Sequence, residues 1–300
     1  MTRQAASNSI PLTAVPDYAA GARFDVRVFD VEYRRDDGHA WLARIYQPQG
    51  DGPFPALLDV HGGVWSRADR TSNAPIDETL AAGGLVVAAV DFRMSSQAPY
   101  PASLADVNYA TRWLKVHAAD FNAVPASIGG LGASSGGHLI MLSAMRPHDP
   151  RYAALPLAEA AEVDASLAYV IACWPVLDPY ARYFFAQETG RDRLVNLTDQ
   201  YFQTLDAMQE GNPQLILERG EPVELPPALI VIGSDDGNLP PTLAERFVTA
   251  YCAAGGVIEL AKFPGAPHEF ALSPGPFTAR ALDAMKSFIA RQLATAVSLS

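Results

Sequence analysis

The chain has 300 residues, of which 49% are hydrophobic and 18% charged, a balance that favours a large buried core and excludes an intrinsically disordered protein. Its formal net charge of −11 repels phosphate backbones and no basic run offsets it, so a nucleic acid partner is not expected. Because it has no metal-ligand spacing, nucleotide motif, secretory signal pattern or membrane-length apolar stretch, we expect a cytoplasmic protein without metal, cofactor or membrane association.

The two cysteines, Cys173 and Cys252, each lie within an apolar stretch. A free cysteine behaves as a small hydrophobic residue and is often buried. We therefore expect two buried, reduced thiols rather than a disulfide.

The first regular elements are expected to form an antiparallel hairpin. The stretches FDVRVFDVEY and WLARIYQP alternate apolar and polar residues with a period of two, which is typical of half-buried strands. The turn signal RRDDGHA lies between them, so the two strands are expected to pair with each other.

Continuously apolar strands and amphipathic helices then alternate along the chain. PALLDVHGG, LVVAAVDFR and ALIVIGSDD are typical of strands buried on both faces, and SLAYVIACW and VIELAKF extend the series. Between them, the stretch PASLADVNYATRWLKVHAAD places Leu104, Val107, Ala110 and Leu114 on one helical face. The alternation predicts an α/β fold with a doubly wound, mostly parallel sheet, which we interpret as a single domain over residues 1–300.

Two segments do not follow this alternation. Residues 1 to about 22 are irregular, and residues 176–225 separate two strands by far more than one crossover requires. The second segment is rich in aromatic residues, and connections of this length are usually functional. Both are interpreted as contributions to a cap over the strand ends.

The most informative stretch is GGLGASSGGH, which joins a strand to a helix. Its residues 132–136 match G-x-S-x-G, a motif in which a sharp turn exposes a serine hydroxyl above the sheet. Ser134 has glycine at both −2 and +2, whereas Ser135 has alanine at −2, so Ser134 is the predicted nucleophile. The backbone N–H of Ser135 is then expected at the helix N-terminus, as one donor of an oxyanion hole.

A serine nucleophile needs a base, and the base needs an orienting acid. Of six histidines, only His268 combines a late place in the chain with a loop that follows the last strand, in FPGAPHEF. The acid is expected in VIGSDDGNLPP, where both Asp235 and Asp236 end a strand at the same sheet edge. Spacing alone leaves these two carboxylates as alternatives.

A fourth strand end carries the stretch HGGVW, residues 61–65. Glycines without side chains let backbone N–H groups approach a developing oxyanion, and His61 is interpreted as an anchor of this loop. Together the four strand ends carry the parts of an acyl-transfer site in the chain order Ser, Asp, His.

At this point the sequence resembles the α/β-hydrolase superfamily, and within it the carboxylesterases similar to hormone-sensitive lipase. HGGVW is similar to their HGGGW loop, GASSGGHL to their GDSAGGHL elbow, and GSDDGNLPP to their G-x-x-D-x-x-v-P pattern. The resemblance runs from about Asp59 to the C-terminus and is weakest in the cap segment.

The resemblance implies an α/β-hydrolase fold with a helical cap inserted late in the chain, and a role for each matching residue. Ser134 would be the nucleophile, His268 the general base and acid, and Asp236 the residue that orients it. The oxyanion donors would be the backbone N–H groups of Gly63, Val64 and Ser135. Val64 and Ser135 depart from the family pattern, which has glycine and alanine there.

The predicted function is the hydrolysis of small-molecule esters with short acyl groups, through an acyl-enzyme intermediate. Aromatic residues of the cap and the tryptophan of HGGVW are predicted to contact substrate: Trp65, Tyr180, Tyr183 and Phe184. The alternatives are an arylformamidase, because HGG-x-W also resembles that branch, and a ligand-binding receptor on the same fold. A homodimer is a further possibility that the resemblance implies.

Overall fold

An eight-stranded sheet lies at the centre of this computed structural model, which describes residues 18–299. The spatial order of the strands is β1-β2-β4-β3-β5-β6-β7-β8. The strands are β1 (Val26–Asp36), β2 (His39–Pro48), β3 (Ala56–Val60), β4 (Val86–Val90), β5 (Gly129–Ala133), β6 (Val170–Cys173), β7 (Ala228–Gly233) and β8 (Ile258–Phe263).

The N-terminal hairpin forms as its alternation predicts. β1 and β2 pair antiparallel, and the turn between them consists of Asp37 and Gly38, with φ of 46° and 80°. Two consecutive positive φ values characterise the tight hairpin turn that Asp-Gly favours. β2 then pairs antiparallel with β4 and so joins the hairpin to the remaining strands.

From β4 to β8 every neighbouring pair of strands is parallel. The residues of β3 to β7 are buried throughout, because helices cover both faces of this part of the sheet. The helices are α1 (Ala74–Ala82), α2 (Ala102–His117), α3 (Ser135–Met145), α4 (Pro179–Glu188), α5 (Asp192–Phe202), α6 (Leu205–Glu210), α7 (Pro213–Glu218), α8 (Pro241–Ala253) and α9 (Pro276–Leu299).

The long segment between β6 and β7 is helical. Its four helices, α4 to α7, occupy most of residues 176–225. Tyr201 and Phe202 at the end of α5 are buried in the core that lies on the α2 and α3 side of the sheet. The other segment interpreted as part of a cap, residues 1 to about 22, falls largely outside the described residues.

Both cysteines are free thiols, but only one is buried. Cys173 ends β6 in the core, and burial raises the pKa of its thiol well above the usual range. The expectation of burial is wrong for Cys252, because its side chain points to solvent from the outer face of α8. Within residues 18–299, no helix is both long enough and apolar enough to cross a bilayer.

Candidate active site

Ser134 occupies a sharp turn between β5 and α3. Its backbone has φ 54° and ψ −115°, a conformation rarely adopted outside glycine. The turn is held by its neighbours on the sheet edge: the Ser134 N–H donates to Cys173 O at 2.9 Å, and its carbonyl accepts from Val176 N at 3.0 Å. A strained conformation held by its surroundings is typical of a nucleophile elbow.

The glycines at −2 and +2 from Ser134 are required by close backbone contacts. A Cβ on Gly132 would stand 2.4 Å from Gly136 O, and a Cβ on Gly136 would stand 2.0 Å from Val60 O. Both distances are shorter than any real contact of a methyl group. The turn can therefore form only with glycine at both positions.

His268 lies beside this turn, on the loop that follows β8. Its Nε2 is 3.2 Å from Ser134 Oγ, and its Nδ1 is 2.6 Å from Asp236 Oδ2. A carboxylate only accepts hydrogen bonds, so Nδ1 carries the proton and donates to Asp236. Nε2 is then left with the lone pair that can accept the hydroxyl proton of Ser134.

The two adjacent aspartates after β7 have different surroundings. Asp236 is buried, and its Oδ1 accepts from the backbone N–H groups of Asn238 at 2.8 Å and Leu239 at 2.9 Å. Asp235 is exposed and its carboxylate accepts from Ser234 Oγ instead. The structure thus brings Asp236, and not Asp235, to His268.

The HGGVW loop follows β3 and packs on the serine turn. A Cβ on Gly62 would stand 3.2 Å from Ser134 Cβ, so the loop backbone lies against the Ser134 side chain. Val64 and Trp65 both have positive φ, 56° and 55°, which is a strained state for a β-branched and for a bulky side chain. No residue of the described chain accepts a hydrogen bond from the backbone N–H of Gly63 or Val64. Both groups are available to an oxyanion.

The hydroxyl of Ser135 holds this loop in place. Its Oγ accepts from the backbone N–H of Trp65 at 3.2 Å, and both residues are buried. The motif predicts only a backbone role for Ser135. The side-chain contact was not predictable from the motif, because it joins residues 70 positions apart.

Trp65 is an internal anchor of the loop, which differs from the substrate contact expected from the sequence. It is 1% exposed, its ring stacks on Tyr201 at 4.8 Å, and its Nε1–H donates to His138 Nδ1 at 3.2 Å. His138 in turn donates from Nε2 to Gly211 O at 2.7 Å, and burial lowers its pKa to about 4. The neutral imidazole therefore links the HGGVW loop to the helical segment above it.

His61, at the start of the same loop, is also internal. Its ring stacks on Phe92 with centroids 4.4 Å apart, and Nδ1 donates to Gly62 O at 2.8 Å. Burial lowers its pKa, so the ring is held neutral. These contacts agree with the interpretation of His61 as an anchor.

Asn238 and Arg182 also reach the site, although the sequence motifs predict no role for either residue. Arg182 is a buried residue of α4 and donates from Nε and Nη2 to Asn238 Oδ1, at 3.2 and 2.9 Å. Since a guanidinium only donates, the amide nitrogen of Asn238 must face the other way, where it lies 3.2 Å from His268 Nε2. The one signal in the sequence is an arginine within the aromatic stretch PYARYFF.

Two cavities flank the HGGVW loop. One, of about 480 Å³, lies between the loop and the start of α5, and the other, of about 380 Å³, lies on the side of β5 and β6. Val64 lines the first cavity. The second cavity is lined by Gly62, Gly63 and Trp174, and Arg67 lies in the walls of both.

The three aromatic residues of α4 that were expected to contact substrate line neither cavity. Tyr183 is 9% exposed and belongs to the core, while the rings of Tyr180 and Phe184 pack edge to face at 4.9 Å. These rings attach α4 to the molecule, because the helix turns its apolar face inward. The walls of the two cavities combine polar and apolar side chains, and substrate contact by the three residues stays a prediction. No grouping of metal-ligating side chains occurs among residues 18–299.

The sheet order, the crossovers and the residues at the strand ends define the α/β-hydrolase fold. A family model matches residues 44–251, a range that includes the HGGVW loop, the serine elbow and Asp236, and the chain belongs to the BD-FAE family.

Curated and solved proteins are similar to this chain over most of its length. Esterase LipC of Mycobacterium tuberculosis is 29% identical over 252 residues, which cover 79% of this chain and 58% of LipC. The chain thus spans a little over half the length of the first curated relatives it matches. Esterase 2 of Thermogutta terrifontis phosphorylated by paraoxon superposes with a TM-score of 0.70 at 24% identity, covering 89% of this chain and 94% of that one. The propionate-bound form of the same esterase gives a TM-score of 0.67 at 25% identity, with the same coverage.

Proposed function

We propose that the protein is a serine hydrolase that cleaves short-acyl carboxylic esters. The observation that carries the proposal is the continuous hydrogen-bond chain from Ser134 Oγ through His268 to Asp236, at the carboxyl ends of three parallel strands. Serine is unreactive without a base, and a buried carboxylate that fixes the tautomer of the base completes the requirement. The names of the curated relatives, esterase and carboxylic ester hydrolase, support the same activity.

In the proposed reaction, Ser134 Oγ attacks the ester carbonyl carbon and its proton passes to His268 Nε2. The negative charge that forms on the carbonyl oxygen is stabilised by the backbone N–H groups of Gly63, Val64 and Ser135. His268 then protonates the departing alcohol, which leaves the acyl group on Ser134. A water molecule, deprotonated by His268, releases the acid and restores the free serine.

Two further proposals concern the substrate and the helices above the site. Val64 brings a β-branched side chain to the edge of the larger cavity, so acyl groups from acetyl to butyryl should fit better than long chains. The propionate-bound form of the Thermogutta esterase supports a short acyl group.

We also propose that residues 176–225 form a cap within a single domain, because Arg182 and Tyr201 of this segment contact residues of the catalytic loops. A cytoplasmic location and a homodimer stay predictions, for fractionation and sedimentation to test.

The test of the activity is a substrate series combined with active-site labelling. We expect kcat/KM for p-nitrophenyl esters to be highest between acetate and butyrate and to fall towards palmitate. Paraoxon should add one diethylphosphoryl group to the peptide that contains Ser134, and the Ser134→Ala protein should remain unlabelled. Faster cleavage of N-formylkynurenine than of every ester would replace the esterase by an arylformamidase, and binding without turnover would indicate a receptor.

A further inference from the structure

The 480 Å³ cavity beside the HGGVW loop has three arginines among its lining residues. Its walls carry Arg67 from the HGGVW loop region and Arg191 and Arg193 from the start of α5, with Asp192 as the one carboxylate among its lining residues. Its volume of about 480 Å³ is that of a small-ligand pocket. Three guanidinium groups against one carboxylate leave an excess of positive charge there.

These three guanidinium groups differ from most arginines in the part of the chain that the structure describes, because they lack a carboxylate partner there. Among residues 18–299 no ion pair involves Arg67, Arg191 or Arg193. By contrast, Arg70 is neutralised by both Asp30 and Asp91. In a chain with a net charge of −11, three such cations around one cavity form a local positive site that an anionic ligand can occupy.

The cavity is next to the reacting groups. Val64, one of the proposed oxyanion donors, forms part of its wall. A Cβ on Gly237 would stand 3.3 Å from Arg191 Nη2, so this guanidinium reaches the residue that follows the catalytic Asp236. Arg191 also lies over the ring of Phe185, 5.8 Å from its centroid, which restrains its position.

We infer that this cavity binds a carboxylate carried by the ester, so that the enzyme prefers anionic over neutral esters; the inference rests on the proposed esterase function. Arginine is suited to this task, because its planar fork of N–H donors matches the two oxygens of a carboxylate. Arg191 and Arg67 approach the cavity from different loops and together select the charge. The carboxylate can belong to the acyl half, as in a half-ester of a diacid, or to the alcohol half.

The test uses two matched pairs of substrates, one for each half of the ester. Monophenyl succinate and phenyl levulinate differ in the charge on the acyl side. para-Acetoxybenzoate and para-acetoxybenzamide differ in the charge on the leaving group. Each kcat/KM is divided by the rate of hydroxide-catalysed hydrolysis, which removes the intrinsic difference in reactivity. We expect the anionic member to be favoured by about tenfold or more in one pair, and that pair identifies the half.

Variants assign the preference to the cavity. Arg191→Gln and Arg67→Gln should each lower the anionic-to-neutral ratio by about tenfold, and the double variant should abolish it. Arg27→Gln is the matched control, because Arg27 also lies over a phenylalanine ring and forms no ion pair within residues 18–299, but belongs to the edge strand β1. It should leave the ratio unchanged.

The outcomes separate this inference from the proposed function. Equal turnover of both members in both pairs would overturn the carboxylate site and leave the esterase intact. A preference that survives the double variant would overturn the assignment to these arginines. If no ester of either pair is hydrolysed, the esterase proposal itself fails.

Discussion

Replacing Asp236 by asparagine is expected to invert the hydrogen bonding of His268. Two backbone N–H groups, from Asn238 and Leu239, donate to Oδ1 of the present carboxylate, and His268 Nδ1–H donates to Oδ2. An asparagine has one oxygen, and the two backbone donors hold it at the Oδ1 position. Its NH₂ group then faces Nδ1, which favours the tautomer with the proton on Nε2. That tautomer cannot accept the proton of Ser134.

The size of the expected loss in kcat follows from these hydrogen bonds. Turning the amide the other way would break two hydrogen bonds to buried N–H groups, at about 1 kcal/mol or more each, so the productive orientation is rare. The imidazolium that forms during the reaction also loses its compensating charge. The same substitution in serine proteases lowers kcat by about 10⁴-fold, and we expect a loss of that order for Asp236→Asn.

The assay is kcat for p-nitrophenyl acetate, with Asp235→Asn as the matched control. Asp235 is exposed, and an asparagine retains an oxygen for Ser234 Oγ, so the control should stay within about twofold of the wild type. Unfolding should be monitored by circular dichroism for both variants. Equal losses in the two variants, or a greater loss at position 235, would refute the reasoning.

The remaining predictions concern the elbow, the substrate and pH. Ser134→Ala should lower kcat on the order of 10⁶-fold, whereas the kcat of Ser135→Ala should stay within about tenfold of the wild type. The free energy of unfolding of Ser135→Ala should fall by about 1–3 kcal/mol, because the buried N–H of Trp65 loses its acceptor. An inactive Ser135→Ala beside an active Ser134→Ala would show that the elbow is misassigned. Val64→Gly should raise kcat/KM for octanoate relative to butyrate, and an unchanged ratio would remove Val64 from the acyl side. Burial raises the pKa of Asp59 to about 7, whereas its pKa in the unfolded chain is near 4. Between these two pH values the folded protein binds a proton that the unfolded chain has released, so the free energy of unfolding decreases as the pH rises through this range. Urea unfolding at pH 5 and pH 8 should show a decline in stability that Asp59→Asn makes smaller, and an equal decline in both proteins would contradict the raised pKa.

The order of the elements and the position of the serine turn could be predicted from residues close together in the chain. Continuous apolar runs predict strands buried on both faces, and the structure has them at β3 to β7. The glycines at −2 and +2 distinguish Ser134 from Ser135, because the G-x-S-x-G pattern is contained in five consecutive residues, although Gly136 is required by the Val60 carbonyl of β3. His268 followed from its place after the last strand, since parallel strands present their carboxyl ends at one edge.

Contacts between segments far apart in the chain decide the remaining features of the site. Spacing alone left Asp235 and Asp236 open, and only the packing of two loops brings one of them within 2.6 Å of His268. For the same reason, the sequence does not predict that the Ser135 hydroxyl contacts Trp65, 70 residues away. Nor does it predict that Arg182 contacts Asn238, 56 residues away. Composition does not tell which face a helix turns inward, so the inward packing of the α4 aromatic side chains could not be predicted from the sequence. Arginines of two separate loops line one cavity, and no local pattern in the sequence records that they meet.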